Sequence, residues 1–321
     1  PCPRAEQALA IDGALDESVW QEAPLVGGFT QYDKPELVDV QTFLRLLYDG
    51  KYLYLCVSCD EPLMDKLVPV AQARDSMEVF HGETIEVFVE PKHDHANYFQ
   101  FGVNAAGSVY DSRGTDPTWS AKAIAATRLL KDRWTLELAV PWSDLGVEPT
   151  AGAVLGFNVC RDRYLGAARG WTNWAQTKAN FHDPERFAHL VLSPTAEQLG
   201  ALGAELRKGD RRGAVAIYGR EGFSDTSYRA LARDALTRLS ALLEGLEKVR
   251  DEEADAATKA ELQKRLQAYR DEIAPFRQRL DGKAALDAAE WTRMDVRATQ
   301  LTGELDDVIW AARLSALLGR I

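Results

Sequence analysis

Apolar and polar side chains alternate with period two through Ile85-Glu86-Val87-Phe88-Val89-Glu90, the pattern of a β-strand with one face in a core. Short runs of the same kind fill the first two-thirds of the chain. Residues 41–47 and 52–59 flank Asp49-Gly50, a hairpin turn of the Asp-Gly type. Residues 98–104 and 107–111 predict a second hairpin around Ala105-Ala106-Gly107. Residues 121–129 and 134–140 predict a third, joined by Lys131-Asp132-Arg133. Residues 154–161 and 189–192 supply the last strands. Asp12-Gly13 marks a turn, Asp16 is the expected cap of a helical turn with Trp20 on its inner side, and residues 141–145 open another such turn. Many short strands between Gly, Asp and Pro turns predict an antiparallel β-sandwich of immunoglobulin or jelly-roll type.

The period changes after Ser193-Pro194. Residues 195–208 read as a short helix and 209–224, with four glycines, as a connector. Asp225 or Thr226 is the expected N-cap of a helix carrying Leu236, Leu239, Leu243 and Leu246 on one face. Leu262, Leu266, Tyr269, Ile273, Phe276 and Leu280 mark a second helix, with Pro275 as an expected kink and Asp281-Gly282 as its end. Leu301, Leu305, Val308 and Ala312 mark a third within 284–319. The expected organisation is a mainly β domain over 1–194 and an all-α helical bundle or hairpin over 195–321. The chain opens on Pro1 and closes on the helix-like Leu318-Gly319-Arg320-Ile321, which predicts a trimmed piece of a longer protein.

A net charge of −11 argues against nucleic acid and anionic membranes as partners, since both require clustered Lys and Arg. No apolar run approaches the length of a membrane span. Cys56-Val-Ser-Cys59 lies inside a strand-like run without a second pair, so it predicts neither a zinc knuckle nor a redox motif. Of the four cysteines, two read as buried small residues and two as one optional disulfide.

Phe80-His81-Gly82-Glu83 puts an aromatic ring, an imidazole and a carboxylate at the mouth of the strand that opens this section. A ring covers the C–H face of a sugar while an acid accepts from its hydroxyls; the alternative is a core Phe80 beside a solvated Glu83. Glu83 and Glu86, three apart, point to opposite faces of a strand, which argues against a paired acid and base. No residues are marked out as catalytic, and the expectation is a protein that is not an enzyme. His93-Asp94-His95 is either a metal-binding turn or a solvated one. Asp60-Glu61 and Asp111-Ser112 are oxygen-rich turns suited to calcium, and no cofactor is otherwise required. Met64, Met77 and His81 could in principle serve as axial ligands of a haem, which the sequence does not favour. Trp174 is either a lid over a ligand or a plug in the end of the sandwich; Trp119 leans towards packing.

Taken in order, these residues resemble family 9 carbohydrate-binding modules and their DOMON-like relatives across about residues 5–193. Ile11-Asp12-Gly13 with Leu15-Asp16-Glu17 and Trp20 resembles the family's "IDG-x-LDE-x-x-W" opening. The 48–54 hairpin, the 83–89 strand, Gln100-Phe101, Trp134 to Glu137 with Pro141-Trp142, and Gly156-Phe157-Asn158 through His182-Asp183-Pro184 follow in the family's sequence. The resemblance implies a non-catalytic sandwich that holds a sugar between two aromatic rings. Their places fall at Phe80 and Phe181, both Phe where sugar-binding members carry Trp. It also implies that Glu86 keeps a strand acid and Gln100 an amide, while Gly102 replaces an Arg donor and leaves Arg161 or Lys178 as the replacement.

The expected ligand site is therefore Phe80, Phe181, Trp174, Glu83, Glu86, Gln100 and Arg161. The expected partner is a carbohydrate chain end or small oligosaccharide, with protein partners at the C-terminal helices, on a secreted, periplasmic or cell-surface protein. The alternative expectation is a structural module of a surface assembly that has lost sugar binding.

Overall fold

A computed structural model describes residues 1–166, 170–178, 180–208 and 215–318. Arg169, the connector glycines Gly209 and Gly213, and the closing residues 319–321 lie outside the described residues. The chain divides into two compact units, Pro1–Arg220 and Glu221–Ile321. The division falls later than the expected change after residue 194, because helix α2 (Ala196–Lys208) and the segment reaching Tyr218 stay with the first unit.

Two antiparallel sheets form the first unit. The smaller runs β2-β3-β8-β7, from β2 (Thr42–Tyr48), β3 (Tyr52–Asp60), β7 (Ile124–Leu129) and β8 (Arg133–Pro141). The larger runs β1-β10-β9-β4-β5-β6, from β1 (Thr30–Gln31), β4 (Thr84–Glu90), β5 (Phe99–Asn104), β6 (Val109–Arg113), β9 (Val154–Arg163) and β10 (Gly170–Asn173). A further strand, β11 (Ala188–Val191), pairs with residues 154–157 of β9, whereas β10 pairs with residues 160–163. The inward faces meet in one core that includes Phe29, Val57, Ile85, Val87, Phe101, Trp134, Leu136 and Phe157. The residues 141–145 form the one-turn helix α1 (Trp142–Leu145).

The outer faces are covered too, which single-face alternation does not predict. All seven residues of β4 are buried. Phe88, Cys160, Tyr98, Phe181 and Phe187 pack into a second apolar cluster on the outer side of the large sheet. On the small sheet, Trp20 and Ala23 cover Leu47, Tyr54 and Ala139. Buried Glu137 ties this N-terminal segment down, accepting from the amides of Asp12 and Gly13 (2.9 Å each) and from Trp20 Nε1 (3.0 Å). Gly13 is required there: its φ is +81°, and a Cβ would meet the Thr127 backbone at 2.9 Å. The helical turn at Ser18–Glu22 follows Glu17, not Asp16, and has no side-chain cap. All four cysteines are buried and free, so the optional disulfide is not formed.

The second unit holds α3 (Tyr228–Glu252), α4 (Ala256–Asp281) and α5 (Ala288–Leu318). Ser227 caps α3 in place of the expected Asp225 or Thr226, accepting from Ala230 N at 3.1 Å. Leu239, Leu243, Leu246, Leu262, Leu266, Ile273, Leu301 and Leu305 make its core. Pro275 lies within α4, which continues to Asp281 before Gly282. Tyr228 and Trp291 stack at 5.2 Å with an 18° interplanar angle.

Candidate functional site

Strand parity decides what reaches the outer face of the large sheet. Glu86 of β4 stands opposite Gly102 on one side and Cys160 on the other. Asp162 stands opposite Trp171. These residues share the outer face, whereas Ile85 and Arg161, also opposite one another, share the inner one. A cleft of about 370 Å³ opens there, with Glu86 and Asp162 in its lining, and Phe80, Tyr32, Trp171, Phe181, Tyr164, His81, Asn180 and His182 around them.

Trp171 is 53% exposed at the rim. Tyr32 meets it edge-on at 5.9 Å and meets Phe181 edge-on at 5.5 Å. Phe181 is only 9% exposed and belongs to the apolar cluster behind the cleft. Phe80 lies across Gly102: a Cβ at residue 102 would fall 2.7 Å from the Phe80 ring. The space that a longer side chain at 102 would occupy is filled by that ring, which meets Tyr110 edge-on at 4.9 Å.

Glu86 and Asp162 are buried and hydrogen-bonded to one another. Burial raises both carboxyls, and repulsion from Glu86 adds to the rise at Asp162. Gln100 Nε2 donates to Glu86, and Gln100 Oε1 accepts from Ser112 Oγ at 3.2 Å. Gln100 thus braces Glu86 and is not among the cleft-lining residues. His182 Nδ1 lies 2.9 Å from Tyr98 OH, and burial lowers its pKa, which favours the neutral ring.

Three expected site residues lie elsewhere. Arg161, 1% exposed, points between the sheets. Its Nη2 donates to Glu61 (3.2 Å) and Glu83 (3.1 Å), and its Nη1 donates to Asp60 O (2.9 Å). Glu83 also accepts from the amides of Tyr164 (2.6 Å) and Leu165 (3.1 Å), and Tyr164 OH donates to Phe80 O (2.7 Å). Arg161 and Glu83 are thus engaged beneath the cleft, where Glu83 and Tyr164 tie this network to the Phe80 segment. Trp174 faces the sandwich interior against Phe157 (6.2 Å) and Tyr218 (5.8 Å). Lys178 is exposed and does not line the cleft.

The turns expected to suit calcium are engaged by arginines. Arg163 donates to both oxygens of Glu61 (2.7 and 2.8 Å). Burial would raise the Glu61 carboxyl, but bonds from Arg163 and from the Leu63 amide hold it below its ordinary value. Asp111 accepts from Arg74 Nη2 (2.5 Å) and the Ala121 amide (2.8 Å). The haem candidates do not converge: Met64 packs on the core, while Met77 and His81 are exposed. Trp119 packs on Phe99 at 4.7 Å.

Two antiparallel sheets with an aromatic-rimmed, acid-floored cleft on an outer face define a β-sandwich recognition module. The chain belongs to the carbohydrate family 9 binding domain-like family, whose model matches residues 11–195. It is 25% identical over 194 residues to endo-1,4-beta-xylanase A of Thermotoga maritima, covering 57% of this chain and 17% of that enzyme. Among solved structures, a Bacteroides uniformis protein is similar over 60% of this chain and 97% of its own, with 18% identity and a TM-score of 0.50. A family 9 module from Caldicellulosiruptor kristjanssonii, solved with cellotriose, covers 61% of this chain and 95% of its own, with 16% identity and a TM-score of 0.47.

Proposed function

We propose that the β-sandwich binds a carbohydrate chain end or small oligosaccharide in the cleft between Phe80 and Trp171, without acting on it. The observation that carries this reading is the open Trp171 ring beside a paired-acid floor. An aromatic face takes the C–H side of a pyranose, and Glu86 with Asp162 accept from its hydroxyls.

Family membership and the xylanase relative support an accessory role in a larger extracellular protein, with β-1,4-linked plant polysaccharide as the ligand class. Among the described residues no helix is long and apolar enough to cross a membrane. The helical unit is read as the protein-contacting part. Trp310 and Leu314, four apart on α5, expose apolar side chains on one helix face.

The second reading, a structural module without sugar binding, is favoured by one feature. Phe181 is buried against Tyr32, and Phe80 is laid on Gly102, so the two expected rings do not form an open pair. A glycan array separates the two. Binding of a β-1,4-linked oligosaccharide that is lost in Phe80→Ala supports the cleft, and a blank array from the folded wild type leaves the structural reading.

A further inference from the structure

Three of the five histidines, His93, His95 and His189, gather at the end of β4 remote from the cleft. The His93 ring lies 4.7 Å from that of His95 and 4.5 Å from that of His189. Between them is Glu90, whose side chain is fully buried. Strand register explains how it fits. His189 of β11, Gly156 of β9 and Glu90 of β4 form one row across the sheet. A Cβ at Gly156 would lie 2.1 Å from Glu90 Oε2, so the missing side chain makes the hollow that the carboxylate occupies.

The two Glu90 oxygens differ. Oε1 accepts from the His95 amide. Oε2 is buried with no hydrogen-bond partner among the described residues, facing His93 Nδ1 at 3.5 Å and His95 Nδ1 at 3.9 Å. Both separations are long for hydrogen bonds. They are close to the spacing of ligands around a tetrahedral zinc ion, where bonds of about 2.0–2.1 Å put neighbouring donors about 3.3 Å apart. One donor atom from each of Glu90, His93 and His95 falls within 4.8 Å of the others.

We infer that Glu90, His93 and His95 form a site for a divalent transition-metal ion of the zinc type, with a fourth position open to water. One carboxylate and two imidazoles suit zinc better than calcium, which takes six to eight oxygens. The amide bond from His95 holds Glu90 in place, as an outer hydrogen bond to a ligating carboxylate does in metal sites. His189 packs on the His93 ring and orients it. His95 Nδ1 also lies 3.3 Å from Pro184 O, a contact that turning the ring to the ion would give up.

The test is calorimetric titration of the full chain, stripped with chelator, with Zn²⁺ alone, and with Co²⁺ as a spectroscopic probe. The expected result is one equivalent of Zn²⁺, visible Co²⁺ bands of tetrahedral type, and at least tenfold weaker binding in His95→Ala. His95 is an exposed turn residue, so that variant is expected to fold; Glu90→Gln gives the same loss with the shape kept. Absence of saturable Zn²⁺ binding, or binding unchanged in folded His95→Ala, overturns the inference. So does calcium binding as tight as zinc binding.

Discussion

Replacing Arg161 by Ala separates a ligand-binding arginine from a structural one. The side chain is 1% exposed, and its guanidinium donates to Asp60 O, Glu61 and Glu83 at 2.9–3.2 Å. Its removal leaves Glu61 with Arg163 and Glu83 with two backbone amides, but both carboxylates lose a buried counter-charge. Breaking one partner out of a buried ion-pair network costs about 3–5 kcal/mol. For a folding unit of about this size each kcal/mol lowers Tm by roughly 2–4 °C, so the expected fall is roughly 6–20 °C. Calorimetry or circular dichroism melts at pH 7 measure it. At temperatures where Arg161→Ala remains folded, oligosaccharide affinity is expected to change only to the extent that the Tyr164–Phe80 link loosens. A Tm within about 2 °C of wild type together with abolished ligand binding would refute this reasoning and return Arg161 to the ligand site.

Gly102→Ala forces the Phe80 ring off the sheet, since the new Cβ would fall 2.7 Å from it; calorimetric titration is expected to show roughly 2–10-fold weaker oligosaccharide binding, the loss of one ring contact. Glu86 and Asp162 have raised carboxyl titrations in the folded state, so the stability they contribute is fully present below the ordinary carboxylate range, about pH 4, and is lost as pH rises through the raised titration of the pair. Melts across pH 4–10 are expected to show that decline in wild type and a shallower one in Glu86→Gln. Glu61 runs the opposite way: its depressed titration gives stability that is present above the ordinary carboxylate range and lost as pH falls, so Glu61→Gln is expected to lower Tm more at pH 7 than at pH 3.

Three hairpins and the amphipathic helices were legible because turn residues and helical periodicity are local signals. The cleft was half legible. Phe80, Phe181 and Glu86 meet there, but the sequence favoured Trp174 and Arg161 over their near neighbours Trp171 and Asp162. Parity explains both substitutions. Strand β10 is only four residues long, Gly170 to Asn173, too short to show an alternation, and the register that turns Trp171 outward was invisible. Along β9 the inward Phe157 and Val159 set a phase that also sends Arg161 inward and Asp162 out; extending that alternation by one step would have found the acid. Burial of both faces of β4 depends on Tyr98, Phe181 and Phe187 folding over it from distant segments, which no strand-local pattern encodes.

The central claim is tested most directly by calorimetric titration of the best-bound β-1,4-linked oligosaccharide into wild type, Trp171→Ala and Trp174→Ala. The account predicts that Trp171→Ala weakens binding roughly 2–10-fold or more while the fold is kept, and that folded Trp174→Ala binds as wild type does. Unchanged affinity in Trp171→Ala, with the loss appearing in Trp174→Ala instead, would contradict it.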